Sequence, residues 1–332
     1  MSEFRFVTSS DEHLADLSPG FRKDGYRNAI FRKLEWQGKF AKKFGADALL
    51  RGGDFFHVRA ANKTTMATLA EAARIHRRYP CRTYALAGNH DMCYGDPDTI
   101  AKQPLGVMIE SKSFWPLRDE YFIHGSMRVR VIGVEYTPDL DYDGLASMIR
   151  KKDGDTYTIA VVHALAANSP EKKMEAFFGE RIFDYRDLVF QGCPDVYIFG
   201  HYHKDQGIQE HLGVQFVNLG AISRGALTFE NLSRVPKISS IICSSQGISI
   251  EEHIVPHDDA SEVFDLERKQ QLDKERRSFD SFLEKLKTNA QLSSDGGVKE
   301  YLAKFQESDY PADLKRVVVE TLEAAEAGVL EE

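Results

Sequence analysis

Five short apolar runs in this chain are each followed by a residue that can bind a metal. The runs span residues 4–7, 48–50, 83–86, 158–162 and 196–199, and the polar residues that follow them are Asp11, Asp54, Asn89, His163 and His201. Short apolar runs bounded by glycine or polar residues are typical of buried strands. Because α/β sheets present functional residues at the carboxyl ends of their strands, the pattern predicts an α/β fold with one shared site.

The polar residues belong to motifs that contribute further ligands. The motifs are Asp11-Glu12-His13, Gly53-Asp54-Phe55-Phe56-His57, Gly88-Asn89-His90-Asp91, Val162-His163 and Gly200-His201-Tyr202-His203. Together they supply the candidate metal ligands Asp11, His13, Asp54, Asn89, His163, His201 and His203. This mixture of imidazole, carboxylate and amide oxygen suits a pair of Mn, Fe or Zn ions better than one structural zinc. A pair of ions is what metal-assisted cleavage of a phosphoester requires.

Taken singly, each motif has a simpler interpretation. Gly88 and Asn89 both tolerate positive φ and are common in turns, and an isolated histidine after a strand is most often a core residue. Asp91 could cap the following segment instead of supporting a neighbouring side chain. Arg224, in a trailing Gly-Ala-Ile-Ser-Arg segment, could contact phosphate or form a structural salt bridge. The recurrence of such residues at five strand ends favours the metal centre.

The acidity of the chain is concentrated in its last quarter. The formal net charge is −8, but residues 251–332 contain 11 basic and 21 acidic groups. Residues 1–250 therefore carry a small positive excess, which is compatible with an anionic substrate. Two basic stretches stand out, residues 21–43 and the set Arg74, Arg77, Arg78 and Arg82. The first has helical periodicity and predicts an amphipathic helix whose outer cations either bind phosphates or are simply solvated.

Composition and cysteine usage predict a cytoplasmic protein with no membrane partner. No apolar run approaches the length needed to cross a bilayer, and the start of the chain lacks the pattern of a signal peptide. The four cysteines, Cys81, Cys93, Cys193 and Cys243, are scattered, and free thiols in a reducing compartment are the simplest interpretation.

The chain divides into a larger region 1–256 and a charged region 257–332. The strand-like runs 238–243 and 248–255 predict a hairpin that closes the second sheet. Residues 261–287, 298–306 and 311–327 have the composition and periodicity of helices. A helical C-terminal extension is therefore expected.

Over residues 1–225 the motifs and their order resemble the calcineurin-like metallophosphoesterase superfamily. The resemblance implies two packed β-sheets flanked by helices, in four layers. Gly52-Gly53-Asp54-Phe55-Phe56-His57 is similar to the SbcD nucleases, the counterparts of the nuclease subunit of the MRN repair complex. Residues 10–14 and 219–225 fit the same subgroup, and the short chain resembles its phage versions. Protein phosphatases of this fold instead have Asp-Arg-Gly after the second motif.

The resemblance also implies a role for each site residue. Asp11, His13 and His203 would hold one metal, Asn89, His163 and His201 the other, and Asp54 would bridge them. His90 would stabilise the scissile phosphate and protonate the leaving oxygen, with Asp91 orienting its ring. His57 would contact the phosphate from the other side, at a position tied to exonuclease activity in this family. The nucleophile would be a water molecule activated by the two ions.

The resemblance thus implies a DNA exonuclease and endonuclease subunit of an SbcCD-like complex, active in recombination or double-strand-break processing. Its cofactors would be two divalent ions, expected to be Mn, with Mg, Fe or Zn as alternatives. Its partners would be DNA, an SbcC-type ABC ATPase with a coiled coil, and a second copy bound through the helix near residues 27–43. Longer family members have an α/β cap after the nuclease core, whereas a helical tail here would be a reduced cap or a docking element.

Two other functions use the same ligands. One is a phosphodiesterase or phosphatase acting on small molecules, against which His57 and the basic helix argue. The other is a metal-bearing scaffold for an ATPase, which would have no need of a proton donor such as His90.

Overall fold

The computed structural model describes residues 3–57, 64–170, 179–274, 276–277, 281 and 315–316. The chain forms two compact units, Met1–Leu266 and Glu267–Glu332. The first unit includes residues 257–266, beyond the end of the larger region suggested by the sequence, and Val263 and Phe264 are buried in it. In the second unit, residues 267–274 and 315–316 are helical. The remainder of the helices expected after residue 274 lies outside the described residues, apart from helical positions at 276–277 and 281.

The first six-stranded sheet contains the three amino-terminal ligand strands, β1, β2 and β3. Its strands are β1 (Glu3–Ser9), β2 (Ala48–Arg51), β3 (Arg82–Ala85), β4 (Trp115–Pro116), β13 (Lys237–Ser244) and β14 (Gly247–Ile254). They lie in the order β14-β13-β1-β2-β3-β4. Strands β1 to β4 are parallel, so their carboxyl ends meet at one edge.

The second six-stranded sheet contains the remaining ligand strands. Its strands are β5 (Asp119–His124), β6 (Met127–Val134), β7 (Tyr157–Ala164), β10 (Val196–His201), β11 (Gly207–His211) and β12 (Val214–Asn218). They lie in the order β11-β12-β10-β7-β6-β5. The four central strands are parallel, and both edge strands are antiparallel to their neighbours. A small parallel pair, β8 (Ala166–Ala167) and β9 (Phe183–Asp184), lies outside it.

Helices cover the outer faces of both sheets. They are α1 (Tyr26–Phe44), α2 (Met66–His76), α3 (Pro104–Glu110), α4 (Tyr142–Ile149), α5 (Phe229–Ser233) and α6 (Ala260–Val263). One buried cluster, which includes Phe6, Leu50, Val161 and Ile198, joins the inner faces of the two sheets. A second cluster joins α1 to α3 with the first sheet, and a third joins α4 with the second sheet. The expected α/β fold of two packed sheets flanked by helices is confirmed.

The hairpin at residues 237–254 joins a different sheet from the one expected. Strands β13 and β14 pair with each other as the sequence indicates, but β13 also pairs antiparallel with β1. The hairpin therefore extends the first sheet rather than closing the second. Alternating apolar residues specify that a strand has one buried face, but they do not specify which edge it joins.

The first basic stretch forms the expected amphipathic helix. Helix α1 buries Ile30, Leu34 and Ala41 and ends at Gly45, whose φ of 72° is the left-handed conformation that glycine adopts readily. Within the described residues all four cysteines are free, and no helix is long and apolar enough to cross a membrane.

Candidate metal centre

The seven candidate ligands lie at or just beyond the carboxyl ends of five strands from both sheets. Asp11 and His13 follow β1, Asp54 follows β2, Asn89 follows β3, His163 lies in β7, and His201 ends β10 with His203 two residues later. Asp11, His13, Asp54 and His201 have positive φ values of 56°, 46°, 52° and 84°. Such values are unusual for residues with a side chain and concentrate at functional sites, where surrounding structure maintains them.

The first group of ligand atoms comprises Asp11, His13, Asp54 and His203. Their ligand atoms all lie within 4.8 Å of one another. Nε2 of His13 lies 2.9 Å from Nε2 of His203, and that nitrogen of His203 lies 3.5 Å from Oδ1 of Asp11. Two imidazole nitrogens and a carboxylate oxygen thus converge as donors to a single cation would.

The second group comprises Asp54, His163 and His201, again within 4.8 Å. Oδ2 of Asp54 lies 3.6 Å from Nε2 of His163 and 3.7 Å from Nε2 of His13. The same carboxylate oxygen therefore faces a histidine of each group. This is the arrangement of a bridging ligand, since two adjacent dications need negative charge between them.

Two buried polar atoms of the site have no hydrogen-bond partner among the described residues. They are Oδ1 of Asn89 and Nε2 of His163. Nδ1 of His163 donates to the carbonyl of Gly52 at 2.6 Å, which leaves Nε2 with its lone pair available. Because a buried polar atom without a partner is costly, these two atoms fit the proposed ligand set. The residues present can hold a pair of divalent metals.

The buried carboxylates and histidines of the site shift one another's pKa values. Burial opposes ionisation of Asp11, but the hydrogen bond and charge of His203 bring the pKa of Asp11 below its usual range. Burial likewise opposes ionisation of Asp54, yet His163 lowers the pKa of that carboxyl group. Burial would also lower the pKa of His163, but the Asp54 carboxylate raises it to about 9. The carboxylates thus attract the positive charge that bound dications would supply.

His90 and His57 lie beside the first group. Nδ1 of His90 donates to the carbonyl of His57 at 2.7 Å, and the two rings stack with centroids 5.3 Å apart. The ring of His90 also packs edge-on against His13 at 4.9 Å. With Nδ1 held by the backbone, Nε2 is the nitrogen left to exchange a proton with a substrate.

The structure corrects the role expected for Asp91. The hydrogen bond that orients the ring of His90 is made with the carbonyl of His57, whereas Asp91 accepts from the amides of Phe55, Phe56 and Gly88 at 3.1–3.2 Å. Burial and the charge of Asp54 raise the pKa of Asp91 to about 7. Asp91 therefore joins the loops that carry Asp54 and His90, rather than contacting the reacting groups.

Two residues outside every motif also contribute to the site. Oε2 of Glu180 lies 2.9 Å from Nε2 of His201, and the hydroxyl of Tyr136 donates to Oε1 of Glu180 at 3.0 Å. This contact leaves Nδ1 of His201 as the nitrogen available to a metal. A carboxylate on the remote nitrogen commonly fixes the orientation of a metal-binding imidazole. A lone glutamate 21 residues before His201 has no sequence signal that would reveal this role.

Two glycines of the motifs lie so close to ligand side chains that a larger residue would not fit. A Cβ atom at Gly53 would overlap the ring of His163, and one at Gly88 would overlap the carboxylate of Asp54. Gly53 also has a φ of 101°, which side chains rarely permit. The two glycines therefore allow neighbouring loops to bring their ligands together.

A buried ion pair lies beneath the first ligand loop. The guanidinium of Arg51 contacts the carboxylate of Glu12, and both side chains are fully buried. Arg51 also contacts Oγ of Ser9 at 2.9 Å, Oε1 of Gln37 at 3.1 Å and Nε2 of His76 at 2.8 Å. Since Glu12 stands between Asp11 and His13, this network fixes the position of that loop. His76 is a buried histidine of the core.

The two basic stretches meet at one end of α1. Near the end of α1, Lys39 and Lys42 line a groove of about 350 Å³ with Arg78, so parts of both stretches meet there. The beginning of α1 lies against the metal centre, because the hydroxyl of Tyr26 donates to the carbonyl of His13 at 2.8 Å. Lys33 is buried rather than on the outer face.

Comparison with known proteins finds solved structures and a family model that are similar to this chain. An archaeal phosphodiesterase is similar to this chain at 12% identity and a TM-score of 0.36, and the match covers 76% of this chain and 99% of that chain. The protein TT1561 of Thermus thermophilus is similar at 12% identity and a TM-score of 0.43, with 77% of this chain and 100% of that chain covered. A dimetal phosphatase from Danio rerio is similar at 11% identity and a TM-score of 0.45, with 77% of this chain and 99% of that chain covered. No curated protein sequence matches the chain.

A family model described as calcineurin-like phosphoesterase matches residues 4–205, which is more than half of the chain. This range contains all seven candidate ligands. The fold and its metal-binding clusters are those of a metal-dependent hydrolase of phosphoester bonds. The chain belongs to the calcineurin-like phosphoesterase family.

Proposed function

We propose that this chain is a two-metal-dependent DNA nuclease of the SbcD type, which cleaves phosphodiester bonds during recombination or double-strand-break processing. The observation that carries the proposal is the combination of a shared Asp54 oxygen, which faces a histidine of each metal group, with the adjacent pair His90 and His57. Phosphoester hydrolysis by two metals needs a bridging carboxylate such as Asp54. Cleavage of an unactivated leaving group needs a proton donor such as His90.

The metal ligands, His90 and His57 have separate roles in the proposed reaction. Two divalent ions held by the seven ligands would lower the pKa of an attacking water and neutralise charge on the scissile phosphate. His90 donates the proton from Nε2 to the departing oxygen, because its Nδ1 is held by the carbonyl of His57. His57 stacks on His90, and the resemblance implies that it contacts the phosphate from the other side.

Several features favour DNA over a small substrate. The segment Gly52 to His57 is similar to SbcD nucleases and delivers both the bridging carboxylate and the stacked histidine. The first half of α1 and the loop ending at Arg224 add cations beside the metal centre. Such cations suit a substrate with more than one phosphate.

We further propose that the resident metal is Mn²⁺. Four histidines among seven ligands are unfavourable for Mg²⁺, which prefers oxygen, whereas Mn²⁺ accepts both nitrogen and oxygen. Fe²⁺ and Zn²⁺ satisfy the same donors and are the alternatives that metal analysis would distinguish.

The proposed partner is an SbcC-type ATPase. Support comes from the resemblance and from the sequence of the acidic tail, where the spacing of Leu314, Val317, Val318 and Leu322, all outside the described residues, predicts an apolar stripe. A stripe of this kind suits docking of a helix into a groove. A second copy of the chain, bound near residues 27–43, is proposed on the same resemblance. Degradation of linear DNA should increase when the ATPase of the same organism is added.

The test is hydrolysis of an end-labelled linear duplex in Mn²⁺. Wild type should degrade the duplex, and His90→Ala should lose about 10²–10⁴-fold in rate while still binding the metals, because only the proton donor is removed. His124→Ala is the matched control, since His124 is an exposed residue of β5 remote from the ligands. A wild-type protein with metals bound that hydrolyses nitrophenyl phosphate esters or cyclic nucleotides but leaves the duplex intact would contradict the nuclease proposal.

A further inference from the structure

A small basic pocket lies beside the metal centre and is not part of it. It has a volume of about 190 Å³. Its cationic side chains come from α1, from Arg22 just before α1, and from the loop that follows β12. The cations are Arg22, Arg32, Lys33 and Arg224. We call it the α1 pocket. Since a water molecule occupies about 30 Å³, this volume accommodates a group the size of a phosphate.

Two of the four cations of the α1 pocket form salt bridges with carboxylates, and the other two do not. Arg22 pairs with Asp24 at 2.7 Å, and Arg32 pairs with Asp258 at 3.0 Å. Within the described part of the chain, Lys33 and Arg224 have no carboxylate at salt-bridge distance. Nζ of Lys33 donates to the carbonyl of Ile222 at 2.7 Å, and Nη2 of Arg224 donates to the carbonyl of Asp258.

Lys33 and Arg224 are both buried, with 7% and 4% of their surfaces exposed. The carboxylates of Asp24, Asp258 and Asp259 act on these cations only from beyond salt-bridge distance. Burial is therefore unfavourable, because carbonyl dipoles only partly replace water. Burial and then the charges of Arg224 and Arg22 lower the pKa of Lys33 to about 7. Burial and then Arg22 also lower the pKa of Arg224. A bound anion would relieve this repulsion.

The loop at residues 222–224 lies between the α1 pocket and the segment that carries Asp11. The amide of Ile222 donates to the carbonyl of Ser10 at 3.2 Å, and Oγ of Ser223 donates to the carbonyl of Asp11 at 3.0 Å. The loop that supplies Arg224 therefore carries the pocket on one side and supports Asp11 on the other.

We propose that the α1 pocket is a second phosphate-binding site, in which Lys33 and Arg224 hold a phosphate group. An ammonium and a guanidinium fork are the donors that proteins use for phosphate oxygens. The phosphate comes either from a polynucleotide or from free phosphate, and both sources present the same oxygens. The inference does not depend on DNA being the substrate of the metal centre.

The proposal is tested by calorimetric titration of inorganic phosphate into the full-length chain after treatment with a chelator and dialysis. Removing the metals eliminates phosphate binding at the metal centre. Wild type should show saturable binding, and Arg224→Gln should weaken it about tenfold or more, because a charge-assisted hydrogen bond is lost. Arg77→Gln, an exposed cation at the end of α2, should leave the affinity unchanged.

A second pair of ligands identifies the source of the phosphate. A 5′-phosphorylated oligonucleotide that binds tighter than its 5′-hydroxyl counterpart, with the difference lost in Arg224→Gln, would assign the α1 pocket to a polynucleotide terminus. Equal binding of the two oligonucleotides, with saturable inorganic phosphate, would assign it to free phosphate.

The proposal is overturned if wild type binds neither inorganic phosphate nor the 5′-phosphate preferentially. It is also overturned if Arg224→Gln and Arg77→Gln bind phosphate equally. Circular dichroism verifies that each variant is folded. Should Arg224→Gln fail to fold, Lys33→Met replaces it in the same titration, since methionine matches the length of the buried stem.

Discussion

Replacing Arg51 by methionine should destabilise the protein strongly at neutral pH and much less in acid. Arg51 and Glu12 form a buried pair, and one oxygen of Glu12 already has no hydrogen-bond partner among the described residues. Removing the guanidinium leaves a buried carboxylate without its counter-charge, which costs about 3–5 kcal/mol. For a unit of this size the loss corresponds to a decrease in Tm on the order of 10 °C at pH 7.

The pH dependence follows from the direction of the pKa shift of Glu12. Burial raises that pKa even though Arg51 opposes the shift, and loss of Arg51 raises it further. A carboxyl group with a folded-state pKa above its unfolded value favours the folded state in acid, and that contribution is lost as pH rises through the folded pKa. The destabilisation of Arg51→Met should therefore be small near pH 4.5 and grow towards pH 7.

Calorimetric unfolding at the two pH values provides the assay. Arg77→Met is the matched control, because it removes an exposed guanidinium and should change Tm little at either pH. Adding Glu12→Gln to Arg51→Met should recover on the order of 2 kcal/mol at pH 7, since the buried charge is then absent. Equal destabilisation at both pH values, or no greater effect than in the control, would refute the assignment of a charged buried pair.

Two further predictions concern the metal centre. His57→Ala should reduce exonuclease activity more than endonuclease activity, because the resemblance ties this position, stacked on His90, to exonuclease activity. Equal losses on linear and circular DNA would show that the role inferred from the resemblance is incorrect. Glu180→Gln should weaken Mn²⁺ binding about 10–100-fold, because it removes the charge that orients His201, whereas Glu210→Gln, an exposed residue of β11, should not; equal Mn²⁺ affinity in both variants would remove Glu180 from the site.

The strands that carry ligands could be predicted from sequence because their cores are short apolar runs. The runs beginning at Phe4, Ala48, Thr158 and Val196 all lie in strands, and each delivers its polar residue to one edge. The convergence of Asp54 with both groups of histidines follows from parallel strands whose carboxyl ends meet. The motifs thus indicated side chains that the structure brings together.

Other features depend on tertiary contacts that local patterns do not contain. Glu180 reaches His201 from a loop without a motif, and His90 is oriented by a backbone carbonyl, which every residue possesses. Arg51 ends an apolar strand, where a charge normally faces solvent, yet it is fully buried because Glu12 folds over it. Lys33 belongs to a stretch that resembles a solvated helix face, yet it is buried and its ammonium donates to the carbonyl of Ile222.

The most direct test of the metal centre is the stoichiometry of Mn²⁺ binding to wild type and to Asp54→Ala. One oxygen of Asp54 faces both groups of histidines, so its removal should eliminate binding at both sites. We predict two Mn²⁺ ions per wild-type chain, measured by elemental analysis after dialysis, and essentially none in Asp54→Ala. Asp139→Ala, in an exposed turn, should retain both ions. A wild-type chain that binds a single ion, or an Asp54→Ala variant that retains two, would contradict a bridged pair of metals.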